Sequence, residues 1–362
     1  MCSPGHQKRM IPPSPFRVVG RLVVFLLGGC LLTCHDLVGQ GLFESIEREV
    51  NRIFLTAREG VARVWARQGE LTTVGTGFFV AHDGSLLTAW GVVGSSREVA
   101  VEIDGRRYAA QVVGGDRRSG VALVRAAAPQ SRYKILAMGD SRCLQPGSPV
   151  VAVGYPLNLP AAPSFGLVAG MDTQFLNQFF PTTHLRTDVS VSPGQIGSPL
   201  LNDHCEVVGM VVMVADNRRI TYALPSQALE RIRDDLVSYG RVRYGWVGVE
   251  VEEAPGEMVE GKFARISRLI PGTPAASSGL QAGDILYELQ GKPIHYPRDV
   301  VDPAFYARVG QRLSVAVLRG ETLLRFSLPV VERPIASENG LLVAPSKERA
   351  SEEVRNVNVS RP

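Results

Sequence analysis

The residues of this chain whose types and order come closest to a catalytic pattern are those of the loop 192–200, SPGQIGSPL. A loop of this kind could present a nucleophile for attack on a carbonyl, and the residue at its centre is Ile196. An isoleucine side chain has no ionisable or hydrogen-bonding atom, so it can neither attack a carbonyl nor accept activation from a base. Ile196 therefore cannot serve as a nucleophile, although the loop around it is rich in the turn residues that could present one.

Other reactive side chains could be brought to this loop by folding. Ser198 could act as a substitute nucleophile, or it could pack in the turn after the loop. The histidines between residues 60 and 225 are His82, His184 and His204, of which His82 and His204 lie in Asp-rich turns typical of a solvated surface. No set of His, Cys, Asp and Glu has the spacing of metal ligands, so we predict neither a metal nor a cofactor.

Two of the five cysteines fall in the part of the sequence that we expect to fold, namely Cys143 and Cys205. In an exported protein this pair could form a disulfide, which would close a long loop and contribute about 4 kcal/mol in the chain-entropy model. The alternative is two unpaired cysteines in turns. Both interpretations are compatible with the spacing.

Length and composition favour a globular, β-rich protein. The 362 residues are 45% hydrophobic and 20% charged, which is enough apolar material for one large or two ordinary domains. The 37 glycines and 24 prolines indicate many turns. The net charge of +4 is scattered, with no block of five basic residues, so a nucleic-acid partner is not expected.

The N-terminal segment has the order of an export signal. Basic residues precede an apolar run at 22–32, which is shorter than the roughly 20 apolar residues of a spanning helix. We predict that residues 1–40 are a signal peptide or lipoprotein signal and that the protein is exported to the periplasm or cell envelope. The tetrapeptide ending at Cys30, LGGC, resembles a lipobox, in which the cysteine is acylated. Plain cleavage near Gly39 or Gly41 is the alternative.

The remaining sequence divides into three parts. Apolar residues at helical spacing from 42 to 58 are followed by short strand patterns separated by glycine turns, which are typical of a barrel or sandwich. A predicted helix at 226–239 ends at Gly240, a C-cap residue. We therefore place one domain at 42–239, a second at 243–332, and a flexible, mostly polar tail at 333–362.

Four motifs resemble those of the HtrA (Deg) family. They are GTGFFVAHDGSLLTAW (75–90), LAMGDSRCLQPGSPVVAVGYPLNL (136–159), SPGQIGSPLLNDHCEVVGM (192–210) and ITYALPS (220–226). The segment TPAASSGLQAGDILYELQGKPI (273–294) resembles the core of a PDZ domain. The resemblance covers residues 60 to 332 and implies a mainly β chain, a chymotrypsin/trypsin-like double β-barrel followed by a PDZ domain.

The same resemblance places the family's catalytic triad on three residues that cannot perform its chemistry. The histidine position matches Gly91, the aspartate position matches Gly120 and the serine position matches Ile196. Each of the three lies between well-matched flanks. Because a glycine cannot shuttle a proton or orient an imidazole, the sequence predicts a pseudoprotease that is not an enzyme. Gly194, Gln195 and Ile196 could keep the amides of an oxyanion loop, or the cleft could be packed shut.

The PDZ resemblance implies a binding function. Trp246, Val247, Gly248 and Val249 match the family's carboxylate-binding loop, in which backbone N–H groups meet a peptide C-terminus. Asp302 and Pro303 indicate the N-cap and first residue of a helix to about Val309 that would form the second wall of the groove. The expected partners are protein C-termini or extended peptides, and the resemblance adds a homo-oligomer, in the family often a trimer.

Two functions remain at this point. The first is a catalytically inactive HtrA-like protein that binds peptides or partner proteins through its PDZ domain in the cell envelope. The alternative is an active HtrA-like serine endopeptidase in protein quality control whose nucleophile, Ser198 or another serine, the motifs do not reveal.

Overall fold

The computed structural model describes residues 41, 43–94, 96, 98–176, 178–215, 220–254, 261 and 264–334. The predicted export signal with Cys30 and the predicted tail from 335 onward lie outside the described residues. A helix, α1, covers residues 43–57, as its helical spacing predicts. None of the helices among the described residues combines the length and apolarity that crossing a membrane requires.

Six antiparallel strands form the first closed barrel in the order β1-β2-β3-β6-β5-β4. The strands are β1 (Val61–Gln68), β2 (Leu71–Phe79), β3 (Ser85–Ala89), β4 (Glu98–Ile103), β5 (Arg106–Asp116) and β6 (Val121–Ala126). Along β4 the side chains alternate between the buried interior and the partly exposed outside, as a half-buried strand requires. A one-turn helix, α2 (Trp90–Val93), follows β3.

A second closed barrel has the order β10-β11-β12-β9-β8-β7. Its strands are β7 (Pro149–Gly154), β8 (Ala162–Phe175), β9 (Gln178–Thr187), β10 (Pro199–Leu201), β11 (Val207–Ala215) and β12 (Ile220–Pro225). Leu185, Leu200 and Val211 are among the buried residues at its centre. The loop 192–200 enters this barrel at β10, so the barrel fixes where that loop lies.

The helix α3 (Ser226–Tyr239) joins the second barrel to the C-terminal domain. It ends at Gly240, whose φ of 68° and N–H bond to the Leu236 carbonyl form the predicted left-handed cap. On α3, Arg231 is buried and lies 4.5 Å from the centroid of the Phe305 ring, a cation–π contact with the next domain. The helix α3 is thus in contact with both domains.

The C-terminal domain is a small β-sheet with one helix. Its main sheet has the order β14-β15-β16-β18-β19, with β17 paired to β16, and a separate pair joins β13 to β20. The strands are β13 (Gly245–Trp246), β14 (Val249–Glu253), β15 (Ala264–Leu269), β16 (Ile285–Leu289), β17 (Lys292–Pro293), β18 (Arg312–Arg319), β19 (Thr322–Pro329) and β20 (Val331–Glu332). Val249, Val251 and Val300 share its core.

The fold prediction is confirmed: the chain is mainly β, with two closed barrels followed by a PDZ-type sheet. The predicted groove helix differs in its bounds. A 3-10 turn, Pro297–Val300, leads directly into α4 (Val301–Tyr306). The helix therefore begins and ends earlier than the predicted 303–309. Val300 occupies the N-cap position, and Asp302 lies inside the first turn with its carboxylate used elsewhere.

Candidate functional site

The loop 192–200 lies where the two barrels meet. The Thr76 N–H of β2 donates to the Ile196 carbonyl at 2.9 Å, and the Gly197 N–H donates to the Val211 carbonyl of β11 at 2.8 Å. The half-buried Ile196 side chain packs against the buried residues of both barrels. The Ile196 side chain therefore packs against the hydrophobic cores of both barrels.

Two glycines are required by the path of this loop. Gly194 has φ 93° and Gly197 has φ 89°, a region that side-chain-bearing residues rarely adopt. A Cβ on Gly194 would lie 2.3 Å from the Tyr155 carbonyl oxygen, and one on Gly197 would lie 2.1 Å from the Thr76 carbonyl oxygen. Both close approaches fix the loop against its neighbours.

The backbone of the loop keeps donors that could face a ligand. The Gln195 N–H is bonded to the Ser192 carbonyl at 3.1 Å, whereas the N–H groups of Gly194 and Ile196 have no acceptor among the described residues. The Gln195 side chain is buried, and its Oε1 accepts from the Ser192 N–H at 2.8 Å. Free amides on alternate residues are the donors from which an oxyanion loop is built.

The positions matched to the histidine and aspartate lie side by side. The N–H of Trp90, the residue before Gly91, donates to the Gly120 carbonyl at 2.8 Å. A Cβ on Gly91 would meet no atom within 4 Å, so this position opens onto free space. Gly120 has φ 74°, and a Cβ there would touch only the Val212 side chain, at 3.6 Å. The structure thus brings Gly120 next to α2 on one side and β11 on the other.

Ser198 is placed away from solvent. Its side chain is fully buried, and its hydroxyl has no hydrogen-bond partner among the described residues. A Cβ on Gly154 would lie 2.1 Å from the Ser198 Oγ, so the hydroxyl faces the β7 backbone. The packing interpretation of Ser198 fits this geometry better than the nucleophile interpretation.

The three histidines are dispersed. Nδ1 of His82 contacts the Gln130 amide, and Nδ1 of the exposed His204 pairs with Asp203 at 2.8 Å. His184 is buried on β9, donates from Nδ1 to the Thr182 carbonyl at 2.8 Å and stacks on the Phe180 ring. Burial lowers the pKa of His184 to about 4. A neutral, enclosed imidazole of this kind stabilises the hairpin that contains it.

The structure has no disulfide between Cys143 and Cys205, and a pairing of these two cysteines stays a prediction. No group of three or more His, Cys, Asp or Glu within the described part of the chain could hold a metal ion.

The loop 246–249 has a fixed and tight backbone. Gly248 has φ 85°, and a Cβ there would lie 2.1 Å from the Thr273 Oγ1. The Val247 carbonyl accepts from the Ala275 N–H at 2.9 Å, and the Gly248 carbonyl accepts from the Ile270 N–H at 2.8 Å. Over the described residues, the N–H groups of Val247 and Gly248 have no acceptor, so the donors of this loop remain available.

The strand that follows this loop has one unpaired edge. β14 pairs with β15 on one side, and no described strand pairs with its other side. The turn 297–300 lies beside β14, and Val300 packs in the same core as Val249 and Val251. A strand edge beside a helical wall is the arrangement that accepts an extended peptide.

Sequence reasoning missed the contacts between the two domains. The Asp302 carboxylate accepts hydrogen bonds from the Thr182 hydroxyl at 2.6 Å, the Thr183 N–H at 2.8 Å and the Thr183 hydroxyl at 2.7 Å. The Tyr244 hydroxyl donates to the Asp116 carboxylate at 2.5 Å. Because each pair is more than 100 residues apart in the sequence, no local pattern could reveal it.

Comparisons with known proteins agree with this geometry. Residues 75–210 match the trypsin-like peptidase domain family, and residues 245–330 match the PDZ domain family. The protein "HtrA-type protease AlgW with tripeptide" has a similar structure, with a TM-score of 0.70 and 22% identity over 79% of this chain and 97% of that chain. The chain has the fold of that structure, a trypsin-like double barrel followed by a PDZ-type domain. A serine endoprotease from Yersinia pestis is also similar, with a TM-score of 0.61 and 24% identity over 79% of this chain and 98% of that chain.

Sequence relatives of this chain are named as proteases. A protein of Marinomonas sp., "Probable periplasmic serine endoprotease DegP-like", is 30% identical over 279 residues, covering 74% of this chain and 59% of the relative. One of the same name from Pseudomonas fulva is 28% identical over 298 residues, covering 79% of this chain and 62% of the relative. This chain therefore spans about 60% of the length of these relatives.

One prediction is corrected by these comparisons. The prediction that the chain is not an enzyme is wrong, because its relatives are named serine endoproteases and the similar structures are those of proteases. The assignment of the triad positions to Gly91, Gly120 and Ile196 stays a prediction, and it rests on the matching flanks of each motif.

Proposed function

We propose that this HtrA-type protein binds extended polypeptides, and their C-termini in particular, through its PDZ domain. The observation that carries the proposal is the free edge of β14 next to the loop 246–249, whose Val247 and Gly248 N–H groups have no acceptor among the described residues. The edge would pair with peptide backbone, and the two N–H groups would receive the terminal carboxylate. The similar AlgW structures, solved with a tripeptide and with a decapeptide, support this proposal.

The test compares each peptide with its own C-terminal amide. An array of decapeptides with free carboxylates is screened by fluorescence anisotropy, and every peptide that binds is repeated in amidated form. We expect amidation to weaken binding about tenfold or more, because it removes a charged acceptor from the two N–H donors. No binding by any peptide, or equal binding by the amides, would contradict the proposal.

A glycine variant locates the site. Gly248→Ala forces a Cβ against Thr273 and should abolish binding. Gly291→Ala is the matched control, because Gly291 has φ 78° and a Cβ there meets no atom within 4 Å. The control carries similar backbone strain in the same domain and should bind peptide like the unmodified protein.

The second candidate function is serine endopeptidase activity toward polypeptides in the periplasm, and the names of the relatives favour it. Residue 196 offers no hydroxyl, so the nucleophile would be another serine. Digestion of unfolded casein, together with fluorophosphonate labelling and peptide mapping, would identify that residue. A labelled serine whose alanine variant no longer cleaves supports this function. Absence of both cleavage and label in the full chain rejects it.

A further inference from the structure

A small cavity of about 40 Å³ lies beside Tyr244, outside the loops described above. Its walls come from the turn before β6, the start of β9, the linker after α3, the helix α4 and the end of β20. We call it the linker pocket and define it by the residues that the argument uses, namely Arg118, Phe180, Tyr244, Phe305 and Arg333. No acidic residue lines it.

Tyr244 holds both arginines of the linker pocket in place. The Arg118 guanidinium lies over the Tyr244 ring, 4.5 Å from its centroid, and the backbone N–H of Arg333 donates to the Tyr244 carbonyl at 3.0 Å. The Tyr244 hydroxyl is itself held by Asp116. Tyr244 therefore contacts the side chain of Arg118 and the backbone of Arg333, and both arginines line one cavity.

Neither Arg118 nor Arg333 has an ion-pair partner in the described part of the chain. The carboxylates on neighbouring elements are engaged elsewhere: Asp116 accepts from Tyr244 and from the Ser119 N–H, and Glu332 pairs with two other arginines. Burial and the nearby positive charge of Arg118 lower the pKa of Arg333. Two unpaired cations that disfavour each other would both be stabilised by an anion between them.

The volume of the pocket and the residues that line it limit which anions can fit. A single water molecule needs about 10–15 Å³ of such volume, so 40 Å³ accommodates a group of about three heavy atoms. Phe180 and Phe305 supply an apolar wall next to the two guanidinium groups. A carboxylate attached to an aliphatic carbon satisfies both conditions, since guanidinium groups bind carboxylates through paired hydrogen bonds.

We propose that the linker pocket is a binding site for a carboxylate, held between Arg118 and Arg333 with its carbon chain against the two phenylalanines. The carboxylate could come from a free small organic acid or from this chain. Residues 335–362 follow directly after the pocket and contain four glutamates, Glu338, Glu348, Glu352 and Glu353. Both sources offer the same chemistry to the arginines.

The experiment uses trifluoroacetate as the probe and follows its ¹⁹F NMR relaxation in the presence of the full chain. Trifluoroethanol, which is neutral, serves as the control ligand. Arg118→Met and Arg333→Met should each weaken trifluoroacetate binding about tenfold, whereas Arg333→Lys, which keeps the charge but loses the paired donors, should weaken it less than Arg333→Met does. Arg117→Met is the matched control, because it removes the same charge one residue away from the pocket lining.

A further variant separates the two sources of the carboxylate. In this variant all four tail glutamates are changed to glutamine. Equal binding of the probe by this variant and by the unmodified protein indicates a site for a free acid, and tighter binding by the variant indicates that the tail occupies the site. The proposal is overturned if neither protein binds the probe, or if Arg118→Met and Arg333→Met bind it as Arg117→Met does. Near-UV circular dichroism verifies that each variant is folded.

Discussion

The Tyr244 hydroxyl donates a 2.5 Å hydrogen bond to the Asp116 carboxylate, and this bond joins the linker of the PDZ domain to the turn that contains Gly120. Asp116 also accepts from the Ser119 N–H at 2.8 Å, and its carbonyl accepts from the Gly120 N–H at 3.0 Å. Burial raises the pKa of Tyr244 well above its ordinary value, so the hydroxyl stays protonated and remains a donor.

Removing this hydroxyl should destabilise the protein. We expect Tyr244→Phe to lower the free energy of unfolding by about 2 kcal/mol, the usual value for a hydrogen bond to a charged group. Urea unfolding followed by fluorescence measures it. Tyr108→Phe is the control, because the Tyr108 hydroxyl is buried without a partner in the described part of the chain, and its loss should not lower stability.

The contact between Asp302 and β9 should contribute a similar amount. Asp302→Ala removes one acceptor from three donors on Thr182 and Thr183, and we expect a loss of about 2 kcal/mol. Thermal unfolding of the full chain tests it. Asp203→Ala, at an exposed turn, should leave the midpoint nearly unchanged, and equal effects of the two variants would contradict the role given to Asp302.

His184 predicts a pH dependence of stability. Its pKa is about 4 in the folded protein against an ordinary value of 6.5, so the unfolded chain binds the extra proton first. The contribution of His184 to the free energy of unfolding is fully present above pH 6.5 and declines as the pH falls from 6.5 to 4. The loss over that window amounts to about 3 kcal/mol.

The measurement is the difference in unfolding free energy between the unmodified protein and His184→Phe at several pH values. Phenylalanine can keep the contact with the Phe180 ring and does not titrate, so stability should decline less steeply with falling pH in the variant. His204→Gln, at an exposed position, should give a curve parallel to that of the unmodified protein. A curve for His184→Phe that is also parallel would contradict the prediction.

Ile196 should contribute to stability through both barrels. Ile196→Ala removes methyl groups that pack against two cores, and we expect a loss of about 2 kcal/mol in chemical unfolding. Leu176→Ala is the control, since Leu176 is 69% exposed and its truncation should cost less than about 0.5 kcal/mol. A loss no greater than that of the control would show that residue 196 is not packed as described.

The fold could be predicted from the sequence because turns and strands have patterns that lie within short stretches of sequence. Glycine turns such as 194–197 and the strands that flank them have patterns that a short window contains. The bounds of α4 were wrong because Asp302 and Pro303 look like a helix start, whereas a 3-10 turn had already begun at Pro297. The carboxylate of Asp302 instead accepts hydrogen bonds from β9, which is distant in the sequence and lies beside Asp302 only in the folded chain.

The candidate site was predictable in outline but not in its contacts. The motifs located the loop 192–200 and the loop 246–249, and the roles given to these loops stay predictions. The burial of Ser198 and the lack of an ion-pair partner for Arg118 and Arg333 among the described residues depend on neighbours from distant segments. No residue pattern within one segment contains that information.

The backbone conformations of Gly91 and Gly120 predict that these two neighbouring positions differ in their tolerance to substitution. Gly91 opens onto free space, so a lineage could acquire almost any side chain there without disturbing the molecule. Gly120 has a left-handed backbone conformation, in which every side chain except that of asparagine or aspartate is strongly disfavoured. Descendants of this protein should therefore vary at position 91 long before they vary at position 120, and the order of the two changes should be visible in a family tree.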